Sequence, residues 1–241
     1  MHWPNYNKGM HQLKERVKGK DNKMKMINCL IIGLVLLCVI NAYAYDSGDF
    51  QFWNTDVEEL KISTNSKIAL EQEFRWGNRA RELYYQHYDL GYFYELAKFL
   101  NVGVGYRHIL SKNTKNKFLV ENQPYVTATF FWELAGFKFD DRSRLEYNHF
   151  DYKGDRGTYR NKLTIKAPWK FTKLQIQPYL SDEVFFVFDD NENFNKNRFS
   201  AGLGLTIFKN LKADIYYMLQ SSKSTRWSDT NILGTKFKLS F

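Results

Sequence analysis

The chain has 241 residues, of which 44% are hydrophobic and 17% aromatic, and a formal net charge of +9. That length fits one large domain, or a leader followed by one. Residues 1–44 hold seven Lys/Arg and two Asp/Glu, leaving a balance of only +4 for the remainder, so the concentrated basic stripe that a nucleic-acid partner requires is missing.

Residues 1–23 are polar and basic without apolar periodicity, and are read as a long leader or a start-site artefact. Residues 24–44 follow the three-part plan of a cleavable signal peptide: basic Lys25, an apolar run from Cys29 to Ile40, then Ala42-Tyr43-Ala44, with cleavage expected after Ala44. The run is roughly 12–14 residues, short of the roughly 20 that cross a bilayer as a helix. Bulky Leu37 before Cys38 argues against lipoprotein processing. Both cysteines, Cys29 and Cys38, fall in this leader, so the exported chain is expected to carry no thiol, no disulfide and no Cys-based metal site.

From residue 45 onward the pattern has period two, the mark of strands whose successive side chains face opposite ways. Ile68, Leu70, Phe74 and Trp76 interleave with Lys67, Glu71, Glu73 and Arg75; Phe199, Ala201, Leu203 and Leu205 with Arg198, Ser200, Gly202 and Gly204; Leu211, Ala213, Ile215, Tyr217 and Leu219 with polar or small neighbours. The predicted strands are 50–62, 66–76, 82–96, 100–110, 122–134, 137–149, 157–167, 174–188, 197–208, 211–222 and 230–241. Globular strands average about 5–6 residues, whereas a tilted strand crossing a bilayer needs roughly 9–11. Short connections near 63–65, 97–99, 135–136, 168–173 and 209–210 alternate with longer ones near 77–81, 111–121, 150–156, 189–196 and 223–229. The predicted fold is therefore all-β: an antiparallel transmembrane β-barrel of about 10–12 strands over residues 45–241, lodged in a bacterial outer membrane. Eleven segments is odd where bacterial barrels are even, so either one strand near 45–62 is missed or the first segment pairs unconventionally.

Three details refine the picture. Leu233, Thr235, Phe237, Leu239 and terminal Phe241 form an outward set ending in Phe, and Phe237, Leu239 and Phe241 are read as the signal for the outer-membrane assembly machinery. Trp53, Trp76, Trp132, Trp169 and Trp227 lie near strand ends and are expected in interfacial girdles. Asp182 shares the apolar parity of Leu180, Val184 and Phe186, which aims a carboxylate at lipid unless a bulge intervenes.

The opposite parity collects charge, with lumen-lining candidates Arg75, Arg107, Arg142, Arg144, Glu146, Arg160, Lys162, Glu183 and Arg198 beside Glu71 and Glu73. The strings Arg142-Ser-Arg-Leu-Glu-Tyr147, Tyr159-Arg-Asn-Lys162, Ser181-Asp-Glu-Val-Phe-Phe186 and Asn197-Arg-Phe-Ser-Ala-Gly202 resemble an uncharacterised bacterial outer-membrane β-barrel family catalogued as a domain of unknown function. The resemblance spans roughly residues 49–241 and implies fold and location without an activity; Lys162 and Gln123 stand where that family leads one to expect Arg. The inner charges fit two readings: a porin-like lining for small polar or anionic solutes, and a structural or adhesive barrel whose lumen is plugged by ion pairs. A lipid-modifying enzyme would need a histidine and a hydroxyl meeting at the rim. His87, His108 and His149 have no serine two residues along the strand and there is no Gly-x-Ser-x-Gly elbow, so no enzyme, no cofactor and no metal centre is expected. Gly103-Val-Gly105 and Gly202-Leu-Gly204 lie inside strands and are read as small lumen-facing positions, and Asp189, Asp190 and Glu192 as a solvated loop.

Overall fold

A computed structural model describes residues 48–113, 115–188, 193–223 and 225–241; the expected leader and the loop acids Asp189, Asp190 and Glu192 lie outside them. Eleven strands follow one another: β1 Asp49–Lys61, β2 Ser66–Gly77, β3 Glu82–Ala97, β4 Leu100–Lys112, β5 Phe118–Leu134, β6 Phe137–Phe150, β7 Arg156–Lys166, β8 Gln177–Phe188, β9 Asn193–Phe208, β10 Leu211–Lys223 and β11 Trp227–Ser240. Each pairs antiparallel with the next, and β1 pairs with β11 to close a barrel.

The odd count dictates how it closes. In an up-and-down order the first and eleventh strands run the same way, so their union is parallel, in register from Asp49 against Thr230 to Glu59 against Ser240. The first segment thus pairs unconventionally, and the count stays at eleven. Parallel ladders are slightly weaker per residue, and side chains reinforce this one. Thr235 Oγ1 donates to Asn54 Oδ1 at 2.8 Å on the outer face, while Lys238 Nζ meets Glu59 Oε2 at 2.9 Å on the inner. The last residue joins in: Phe241 N donates to Glu59 O at 2.9 Å and Lys61 N to Phe241 O at 3.2 Å. At the other end, the Asp49 carboxylate accepts the backbone N–H groups of Asn78 and Arg79, both at 3.2 Å. It holds a turn in which Asn78, Arg79 and Ala80 all have positive φ, a conformation costing roughly 1–2 kcal/mol per non-glycine residue.

Alternation sorts side chains as the sequence suggests. Leu90, Val104, Val126, Leu145 and Ile215 are exposed on the outer face, while the inner face is largely buried. Trp132, Trp169 and Trp227 sit at the outside near strand ends, and Trp76 packs on Phe52 with ring centroids 5.6 Å apart and the rings tilted by 34°. Trp53 is the exception to the expected girdle: it is 2% exposed and points inward, packed with Met218 and Ile232. Strand β1 carries apolar residues on both parities (Phe50 and Phe52 against Trp53 and Val57), so alternation alone gave Trp53 no side.

The connections differ from expectation in one respect. The stretch 167–176 is the longest of all and lies on the side expected to hold short turns, because Phe171 and Ile176 bridge into a miniature hairpin and delay β8 to Gln177. On the opposite side β5, β9 and β11 begin earlier than expected and shorten the loops to 78–81, 113–117, 151–155, 189–192 and 224–226. Pro124 consequently falls inside β5, and the β5–β6 ladder skips from Asn122–His149 to Tyr125–Glu146, since proline has no N–H to give.

The 151–155 loop is closed by Asp155, whose carboxylate accepts from His149 Nδ1 at 2.9 Å, Tyr147 OH at 2.7 Å and Phe150 N at 3.1 Å. The His149 hydrogen bond, then those of Tyr147 and Phe150, hold its carboxyl down at about 2. A depressed carboxylate contributes order above its unfolded value and loses it as pH falls through the folded one. Amide protection at residues 150–156, measured against the intrinsic exchange rate at each pH, is therefore expected to fall between about pH 4 and about pH 2. Asp155→Asn should lower that protection already at neutral pH, and unchanged protection would show that Asp155 does not hold the loop.

Candidate functional site

The outward parity is not uniformly apolar. Asp56, Asp141 and Asp182 face outward in mid-strand, and each accepts from an asparagine Nδ2: Asn54 at 2.8 Å, Asn161 at 2.6 Å and Asn197 at 2.8 Å. The register shift in β8 falls at Phe185/Phe186 and does not turn Asp182 inward; a neighbouring amide satisfies it instead.

The inward parity builds the site. All nine lumen candidates point to the enclosed side, from β2 (Arg75), β4 (Arg107), β6 (Arg142, Arg144, Glu146), β7 (Arg160, Lys162), β8 (Glu183) and β9 (Arg198). Around the wall the groups form a continuous belt. Arg107 Nε donates to Asp89 Oδ2 at 2.9 Å, Arg144 stands 4.0 Å from Asp89 and 3.8 Å from Glu146, and Arg160 bridges Glu146 at 2.7 Å and Glu183 at 2.8 Å. Glu183 also accepts from Arg142 Nη2 at 2.7 Å and lies 3.6 Å from Arg198. Arg198 and Arg75 flank the Trp53 ring at 5.0 and 3.7 Å, Arg75 Nε donates to Glu73 at 2.6 Å, and His87 Nε2 contacts Glu71 at 3.3 Å. Arg107, 3.7 Å from Glu71, closes the circuit.

Several members escaped the sequence reading. Asp89 is 5% exposed and anchors both Arg107 and the Tyr125 hydroxyl, the latter at 2.7 Å. It shares parity with His87 and Gly91 between outward Tyr88, Leu90 and Tyr92, so the signal was present. Gln123, at a position where the resemblance led us to expect Arg, accepts from Arg107 Nη1 at 3.3 Å. Lys236 of β11 reaches Glu71 at 3.0 Å across the parallel seam, a contact no local pattern announces.

Toward the end that carries the turns 135–136 and 209–210, the belt opens into a cavity of about 380 Å³. Its lining includes eight Arg/Lys and five Asp/Glu and descends through Asp140, Thr164, Lys166 and Tyr179. Glycines make room for inner-face tyrosines: across the ladders Tyr179 stands opposite Gly202, Tyr125 opposite Gly105 and Tyr216 opposite Gly234, and a Cβ at each glycine would intrude on the ring.

A family model, described as "Protein of unknown function (DUF2490)", matches residues 50–231, which take in nine whole strands, nearly all of β1 and all nine belt candidates. The chain belongs to this family. In this DUF2490 chain the matched segment stops within β11, so the seam residues Lys236, Phe237 and Phe241 fall beyond it. Among curated proteins and solved structures none matches the chain. The histidines keep company other than serine: His87 contacts Tyr85 and Glu71, His108 contacts Asn122 at 2.9 Å, and His149 contacts Asp155.

Proposed function

We propose that this protein is an outer-membrane barrel whose lumen is closed near mid-height by the ion-pair belt, leaving a basic vestibule open toward the end that holds the carboxyl terminus. One observation carries the closed reading: Arg107, Arg144, Glu146, Glu183 and Arg198 are each less than a tenth exposed although they face the lumen. Charges lining a water-filled pore keep much of their hydration; these have exchanged it for one another. The membrane reading rests on the exposed apolar outer face, on closure without a free edge, and on the leader-like segment 24–44. Outward Phe237, Leu239 and terminal Phe241 would then meet the assembly machinery on the periplasmic side, with lipid as the partner of the whole outer face. An adhesive role finds little support, because no connection on the opposite side exceeds five residues.

Two measurements test this. The protein should stay with the outer membrane through carbonate washing and need detergent for extraction; material that stays dissolved without detergent once its leader is removed overturns the membrane reading. Reconstituted in planar bilayers, the wild-type barrel should show no steady conductance. A second reading, a passive channel for small polar or anionic solutes, is favoured by the excess of Arg and Lys in the cavity lining. A steady anion-selective conductance would put that reading in place of the closed one.

A further inference from the structure

The geometry points to a binding site for a compact oxyanion group, phosphate or carboxylate, on the vestibule floor at Arg142, Arg160 and Lys162. In the β6–β7 register Arg142 lies directly opposite Lys162 and Arg144 directly opposite Arg160. Like charges facing each other across a ladder are destabilising, and here two such pairs are stacked on one inner face. The acids that reach them are few. Glu183 serves Arg142, Arg160 and Arg198 together, Glu146 serves Arg160 and more distantly Arg144, and Asp89 stands 4.0 Å from Arg144.

Donors are left over. Arg142 Nε, Arg144 Nε and Nη1, and Arg160 Nε are buried without an acceptor. Lys162 lines the cavity and stands opposite Glu183 in the β7–β8 register, yet makes no hydrogen bond or close ion pair with it or with any other described residue. Of the cavity's other acids, Asp140 is held by Lys166 at 2.5 Å, Glu73 by Arg75 at 2.6 Å and Glu71 by Lys236 at 3.0 Å, while Asp214 of β10 lies within electrostatic reach of Lys236, Lys166 and Lys162 without a hydrogen bond to any of them. Buried donors without acceptors and opposed cations are costly in a resting fold, and an arriving oxyanion relieves both. Guanidinium forks match the oxygens of phosphate or carboxylate, and a lysine adds a point charge. The cavity of about 380 Å³ has room for a small molecule bearing such a group.

The site stands on the cavity and the strand register, so it holds whether or not the barrel conducts, and its test involves neither conductance nor localisation. Full-length protein in detergent is titrated by calorimetry with inorganic phosphate, and separately with succinate, at constant ionic strength against chloride. At least one anion should bind saturably and raise the melting temperature; the arm that does so names the group. Lys162→Met should weaken that binding at least tenfold while leaving the unliganded barrel as stable or more stable, since it removes one of two opposed cations. Lys212→Met, an inward lysine outside the cavity lining, should change neither. If Lys162→Met fails to assemble, Arg142→Gln is read in its place, with the same tenfold loss expected. Absence of saturable binding by both anions, or unchanged binding in the Lys162 or Arg142 variant, overturns the proposal.

Discussion

Gly234→Ala should prevent the barrel from reaching its native melting temperature. An added Cβ at Gly234 overlaps Cζ, Cε2 and the hydroxyl of Tyr216, as one at Gly202 falls 2.6 Å from the Tyr179 Cζ. The Tyr216 ring cannot retreat freely, because it packs against the cluster of Trp53, Met218 and Ile232. Overpacking a filled interior costs typically 1–3 kcal/mol, and backbone displacement in a closed ladder puts this site at the upper end, about 3 kcal/mol. The readout is the heat-modified mobility of the folded barrel on gels, with thermal unfolding followed by tryptophan emission, to which buried Trp53 is a direct reporter. Gly154→Ala, with open space around it, is the control and should be neutral. Equal melting of the Gly234 variant and wild type would show that the tyrosine rings do not rest on the wall. Tyr216→Phe keeps the ring on the wall and should be tolerated.

Glu183→Leu should have the second large effect. Its carboxylate is shared by Arg142, Arg160 and Arg198, and it is 5% exposed. Removing one partner of a buried ion pair costs about 3–5 kcal/mol, because the remaining charge is left desolvated. Here several guanidinium groups lose their common acceptor. Urea midpoints in detergent should fall accordingly, and pairing Glu183→Leu with Arg160→Leu should recover part of the loss through the coupling expected of neighbours in one network. The same variant tests the closed lumen: with the belt broken, bilayer conductance should appear where wild type shows none. A cost below about 0.5 kcal/mol, the range of ordinary surface substitutions, would mean that water already solvates these charges and that the lumen is open.

How much of this was legible beforehand follows from which interactions are local. A strand's side chains alternate because of its own backbone geometry. The eleven segments, the inward placement of Arg142, Arg144, Arg160 and Glu183, and the glycine positions at 103, 105, 202 and 204 could thus be read without a partner strand in view. Where one strand was apolar on both faces, as in β1 around Trp53, alternation lost its meaning. Where a turn closed on itself, as between Phe171 and Ile176, composition resembled a strand and the loop was misjudged.

The strand segments and most of their facing were thus written in the chain itself, since both depend on residues a few positions apart, whereas the count of eleven rested on how the barrel closes. Closure was decided only in three dimensions. The parallel union of β1 with β11 and the contact of Lys236 with Glu71 join the two ends of the barrel's strand order, and Glu183 is shared among arginines of three other strands. Their energy depends on which buried charges face each other inside the barrel, and no linear pattern encodes that distance.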